Sequence, residues 1–234
     1  MITVLNLYSA SPDSLTTVEK ENGILFDNIL PLSLIIIGSS ISGSDLEKDI
    51  QRDIRKSAGS DFECKADDWL RFVPAAGIYI AKFSGVRSKN NFWDMSKNFV
   101  TANLISNGTV WGLKKIIDKK RPDGTEESFP SGHTNFAFTN AAIMYHEYKD
   151  SNQFWAYSGY IFATATGALR MMNNRHYISD VLAGAGIGIL TANLVYRFEP
   201  LKNWHPFRMG AEKDISIFPH IGSDFYGISL VIEF

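Results

Sequence analysis

Apolar residues along the chain fall into helix-sized blocks separated by polar and Gly/Pro punctuation, and within the blocks they recur at three- and four-residue spacing. The pattern predicts a first apolar helix over about Phe26–Ile41, with Pro31 near its start. An amphipathic helix over Asp45–Lys56 follows, in which Leu46, Ile50 and Ile54 repeat every four residues between acidic and basic side chains. Further helices are expected near Asp68–Phe83, Phe92–Ile117, Ser131–Tyr148, Phe154–Met171 and Ile178–Phe198. The Phe92 helix should stop before Pro122, because the residue preceding a proline disfavours the α region. The tail changes period: Asp214–Phe218 and Phe225–Phe234 alternate about Pro219, Gly222, Ser223 and Asp224, which predicts a short hairpin for packing or for a lid. The fold class expected is all-α, a bundle of about six helices closed by a C-terminal β-hairpin. It divides into an apolar and an amphipathic helix (1–66), a catalytic bundle (67–200) and a tail (201–234), within one domain overall.

The 234 residues suit one sizeable core. A formal net charge of -2, from 23 basic and 25 acidic residues, offers no positive field for a nucleic acid. One cysteine, Cys64, excludes an internal disulfide, and no Cys/His spacing matches a zinc site. The first ten residues lack Lys and Arg and make a poor secretory signal. Mean hydropathy is -0.08, and no stretch reaches about 18 uncharged apolar residues. The windows Leu30–Ile41, Phe99–Leu113, Phe154–Leu169 and Val181–Tyr196 come near and are rich in the small residues that let helices pack in a bilayer. A soluble helical core is the other reading of the same windows.

Three clusters place ionisable residues at the ends of apolar helices, where stability alone does not ask for them. Lys114 and Arg121-Pro122 stand seven apart, almost two helical turns, so they could share a face as a positive pair. With Lys115, Lys119 and Lys120 they would equally serve as a basic helix end. Pro130-Ser131-Gly132-His133 reads as a helix start: Ser131 suits the N-cap, Gly132 permits close approach, and the first-turn amides suit a phosphate. An ordinary capped helix with a surface histidine is its plain alternative. Arg170, His176 and Asp180 surround the turn residues Asn173 and Asn174; four residues apart, Asp180 can reach the imidazole of His176 and set its tautomer. A structural His–Asp cap is the alternative here. His146, His205 and His220 match no motif and are expected to be surface or packing residues.

Taken together, Lys-x6-Arg-Pro, Pro-Ser-Gly-His and Arg-x5-His-x3-Asp, in this order and with the run Arg175 to Gly184, resemble the type 2 phosphatidic acid phosphatase and vanadium haloperoxidase superfamily, in its bacterial lipid-phosphatase branch. The resemblance runs from about Asp68 to Arg197. Leu169 departs from it, since many members carry serine there. The resemblance implies His176 as nucleophile, Asp180 as its orienting partner and His133 as general acid. Lys114, Arg121, Arg170, Ser131 and Gly132 would hold the phosphate oxygens. It further implies a metal-independent reaction without a cofactor, through a phosphohistidine, with vanadate binding as a phosphate mimic. The substrate would be a membrane lipid phosphate: lipid A, phosphatidylglycerol phosphate, phosphatidic acid or a polyprenyl diphosphate, with a lean towards lipid A. The expected place is the bacterial cell membrane with the site facing the periplasm, with no nucleic acid and no obligatory protein partner. A soluble acid phosphatase for small esters, a vanadium haloperoxidase and a non-catalytic scaffold share the same motifs.

Overall fold

The computed structural model describes residues 12–201, 204, 215–221 and 226–232, with side chains from 27 to 201 and at 204. The expectations for the first ten residues and for His205 fall outside these residues, as does the side chain of His220. Eight helices are described: α1 (Pro12–Ile41), α2 (Asp45–Ala58), α3 (Ala66–Leu70), α4 (Val73–Phe83), α5 (Phe92–Ile117), α6 (Gly132–Tyr148), α7 (Gln153–Met172) and α8 (Ile178–Phe198). The all-α class holds, with eight helices described where seven helical segments, in a bundle of about six, were expected. The helix expected over Asp68–Phe83 is two, because the chain turns at Arg71–Phe72 and Pro74 opens a new first turn, where its missing N–H has no bond to lose. The segments Ile215–Ile221 and Tyr226–Ile232 pair antiparallel, but the expected C-terminal hairpin gains no support as part of this helical fold.

Helix α8 is the hub, packed on α6 and α1. Its glycines set the spacing. A Cβ on Gly184 would meet the Ser131 carbonyl oxygen at 2.6 Å, and one on Gly186 would meet that of Pro31 at 2.5 Å. Small residues here let helix backbones touch, a device favoured where apolar burial alone cannot hold helices together.

The α5–α6 seam is polar instead. Ser106 donates to Asn135 (2.7 Å) and meets the hydroxyl of Thr139 (2.8 Å), while Asn103 and Asn140 exchange amide bonds at 3.0 and 3.2 Å. The outward faces show the reverse character. Ile36 and Ile37 on α1, Leu104, Trp111 and Ile116 on α5, and Phe154 and Ile161 on α7 are all at least half exposed. An apolar core around Ile78, Met95, Ile143, Met144 and Tyr148 lies beside this polar seam, so the unusual feature is the number of large apolar residues left on the outer faces. Helix α8 is long and apolar enough to cross a bilayer, and the 27–41 portion of α1 meets that test together with α2 across a 98° bend.

Candidate active site

His176 lies in the short loop that joins α7 to α8. That loop is tightened by backbone bonds from Arg175 and His176 to the Arg170 carbonyl (2.9 and 3.3 Å) and by Asn174 in the left-handed region. The side chain is fully buried, and its Nδ1 stands 3.3 Å from Asp180 Oδ2. Burial pushes the imidazole down to about 4 against the pull of Asp180, with the charges of Arg170 and Lys114 acting in the same direction as burial. At neutral pH the ring is therefore uncharged, with Nδ1 tied to the carboxylate and Nε2 left for chemistry.

The Asp180 carboxylate is itself held rigidly. Oδ2 accepts from the Tyr177 N–H (2.9 Å) and from the Ser128 hydroxyl, and Oδ1 accepts from Lys119 Nζ (2.9 Å). Its backbone carbonyl accepts from Ser131 N–H (2.9 Å), which couples the start of α8 to the start of α6. Through that bond the Pro-Ser-Gly-His segment is set against the His176 loop.

The expectation that Lys114 and Arg121 share one helix face is corrected. Helix α5 ends at Ile117, where Asp118 takes φ 41°, and Arg121 belongs to a loop closed by bonds from Ser128 N–H to Lys119 O and from Arg121 N–H to Thr125 O, both 2.7 Å. The left-handed residue reverses the chain, and the folded loop brings Arg121 back to the cluster. Asp123 in this loop bonds Arg175 at 2.9 Å, fastening it to the His176 turn. Lys114 donates to the carbonyls of Glu127 and Ser128, and its Cε would lie 3.9 Å from a Cβ on Gly132.

Arg170, in the last turn of α7, is central: its charge is felt at Lys114, Arg121, His133 and His176. One guanidinium nitrogen donates to Asp67 Oδ2 at 2.7 Å. Its Nε, and that of Arg121, are buried with no acceptor among the described residues. Burial, followed by the repulsion of Arg170, pushes the Arg121 guanidinium below its ordinary range, as expected where two cations are held close together out of water. Ser131 caps α6 as expected, accepting from Thr134 N–H.

Several participants had no legible signal. Asp67 fixes Arg170, and the carboxylate of the neighbouring Asp68 accepts from His133 Nε2–H at 3.0 Å. The His133 bond, with the charges of His133, Arg170 and Arg71, holds the Asp68 carboxyl below the usual range despite partial burial. Glu47 of α2, also buried, accepts from Lys119 Nζ at 2.8 Å and from the Ser179 hydroxyl. Lys119 thus lies between two buried carboxylates, a post that its place in a run of lysines does not reveal. His146 has the packing role expected, stacked on Tyr196 with centroids 4.7 Å apart and bonded to Asn193.

Comparison with known proteins bears on these positions. The chain is 33% identical over 171 residues to Lipid A 1-phosphatase of Porphyromonas gingivalis, covering 72% of this chain and 38% of that one, so it spans little more than a third of that relative's length. It is 27% identical over 178 residues to Lipid A 4'-phosphatase of Helicobacter pylori, covering 69% of this chain and 78% of that one. In fold it resembles the crystal structure of Aquifex aeolicus LpxE, with a TM-score of 0.50 and 20% identity over 65% of this chain and 96% of that one. The model of the PAP2 superfamily matches residues 99–204, the stretch that supplies Lys114, Arg121, Ser131, His133, Arg170, His176 and Asp180, so the residues gathered at this site lie in the part of the chain that is similar to that superfamily.

Proposed function

We propose that the protein is a phosphatase that removes a phosphate from a membrane lipid through a phosphohistidine at His176. The observation that carries this reading is the pairing of two buried, unsatisfied arginine Nε–H groups, on Arg121 and Arg170, with an oriented and uncharged imidazole. Buried polar groups are ordinarily satisfied, and two orphan guanidinium donors in one cluster match the equatorial oxygens of a phosphoryl group. Negative charge is concentrated on those oxygens during transfer, so cations fixed in a water-poor site favour the transition state.

In this reading Nε2 of His176 attacks phosphorus and the lipid alkoxide leaves, taking a proton from His133. Burial and the charge of Arg170 push this imidazole down to about 4, and the negative charge of the bound phosphate raises it again, so that it is protonated when the substrate is in place. Asp180 stabilises the imidazolium character that develops on His176. Water, deprotonated by His133, then attacks the phosphohistidine, which releases phosphate and restores the free imidazole. Asp68 orients His133. Lys114, Arg121, Arg170, the Ser131 hydroxyl and the Gly132 amide hold the oxygens, and no metal ion enters the balance.

A lipid substrate is supported by the large apolar residues on the outer faces of the bundle, which suit a bilayer while its helix ends gather the charged groups. The same faces disfavour a soluble enzyme for small esters. Lipid A is the preferred substrate, with the site on the periplasmic side. The test is phosphate release by detergent-purified protein across lipid A, phosphatidylglycerol phosphate, phosphatidic acid and polyprenyl diphosphate, beside His176→Ala. Acid-labile phosphate on the wild-type protein and none on the variant is expected. Wild-type turnover by the variant would refute the assignment.

A further inference from the structure

Next to the phosphate cluster lies a cleft of about 370 Å³, between α2 and the loops that carry Arg121 and His176. Its far wall includes Pro122 and Tyr177, the immediate chain neighbours of those two residues, so the same two loops carry one wall of the cleft and two members of the cluster. The near wall is α2, which contributes Lys48, Gln51, Arg52 and Arg55. Positions 48, 52 and 55 are spaced four and three apart and form one stripe, roughly 10 Å long at the rise of an α-helix.

These side chains divide by what already holds them. Arg55 donates to the carbonyls of Phe62 and Met172 at 2.8 Å each, and to that of Ser60, which makes it part of the cleft's frame. Lys48 and Arg52 meet Asp45 and Asp49 one turn back, with their own side chains 53% and 76% exposed. Exposed pairs of this kind contribute little and yield readily to a stronger anion. Gln51 is 4% exposed, and its Nε2 donates to Met171 O (2.9 Å) and Asn174 Oδ1 (3.0 Å). Those two acceptors fix the amide orientation and leave Oε1 buried with no donor among the described residues. The wall therefore offers two available cations and a buried acceptor that wants a hydroxyl.

We infer that this cleft is a second subsite for the substrate headgroup, taking a phosphate on Lys48 and Arg52 and a sugar hydroxyl on Gln51. The inference rests on the phosphatase reading and names its substrate class: a phosphorylated sugar lipid that carries a second phosphate beyond the one removed. A headgroup with one phosphate satisfies the catalytic cluster and leaves the cleft unused. A second phosphate without hydroxyls leaves Gln51 unpaired.

The experiment compares wild type with Lys48→Gln/Arg52→Gln, whose sites are exposed enough to leave folding intact. The substrates are lipid A bearing both phosphates and, as single-phosphate controls, phosphatidic acid and p-nitrophenyl phosphate, the lipids in identical mixed micelles. The double variant should lose tenfold or more in kcat/KM on the bisphosphorylated lipid, through KM, and stay within twofold on the controls. An active wild type that rejects the bisphosphorylated lipid overturns the subsite alone. So does a variant that weakens on all substrates equally or on none. A wild type that releases phosphate from none of them overturns the phosphatase reading itself.

Discussion

Lys119→Met removes a cation placed between Glu47 and Asp180, 2.8 and 2.9 Å from carboxylates that are 1% and 0% exposed. Methionine fills similar volume, so the loss is chiefly electrostatic. Stripping one partner from a buried ion pair costs about 3–5 kcal/mol, because the remaining charge stays desolvated. Here two carboxylates are stranded, but each keeps other donors: Gly43 N–H and Ser179 for Glu47, Ser128 and Tyr177 N–H for Asp180. The lower end, about 3 kcal/mol, is therefore expected. At roughly 2–4 °C per kcal/mol for a chain of this size, the unfolding midpoint in detergent should drop by about 6–12 °C. Asp180 also loses a fixed contact, and a loss of about 1–2 kcal/mol in imidazole orientation slows turnover about 5- to 30-fold. Adding Glu47→Gln removes one stranded charge and should restore a good part of the midpoint without restoring the rate. The measurement is a double-mutant cycle in melting midpoint and kcat. A Lys119→Met protein that melts within about 2 °C of wild type, or a Glu47→Gln change whose effect simply adds, would show that the three groups do not form a coupled buried unit.

Gly184→Ala should lower both stability and rate, because its methyl would fall 2.6 Å from the Ser131 carbonyl oxygen and must displace the start of α6 or of α8; an unchanged kcat would sink that argument. Asp180→Asn should cut kcat by about three to four orders of magnitude with little change in KM, and stopped-time phosphate release checks it. Burial depresses His176 to about 4, so the folded state binds fewer protons than the unfolded chain between about 6.5 and 4. Stability attributable to this group is thus full above about 6.5 and falls by roughly 3 kcal/mol as pH drops to about 4. His176→Asn should flatten that part of a pH series of melting midpoints, and an unaltered slope would refute the assignment. Vanadate should inhibit competitively, and EDTA should leave turnover unchanged; strong inhibition by the chelator would point to other chemistry.

How far the chain speaks for itself depends on whether the information is local. Helices α5 to α8 were legible because apolar periodicity, the Ser131 cap of α6 and proline punctuation all act within a few residues. The pairing of His176 with Asp180 was legible for the same reason, being a matter of four residues at a helix start. The reversal at Asp118 was not, since an aspartate adopts the left-handed region only when the surrounding loop compensates it, and so Arg121 was expected on a helix that it leaves. The split at Arg71–Phe72 was likewise hidden within a continuous apolar pattern.

What the amino-acid order determined by itself was the set of helices and the identity of the charged residues at their ends. Tertiary structure alone decided which of those charges meet. Asp67 finds Arg170 across 103 residues, Asp68 finds His133 across 65, and Glu47 finds Lys119 across 72. No local pattern encodes such pairs, because a carboxylate on a polar helix face looks the same whether it ends in water or in a dry cluster. Burial distinguishes Glu47 and Asp67 from such a surface carboxylate, while Asp68 stays half-exposed, and that burial is created only when α2 and α3 close on the helices around them.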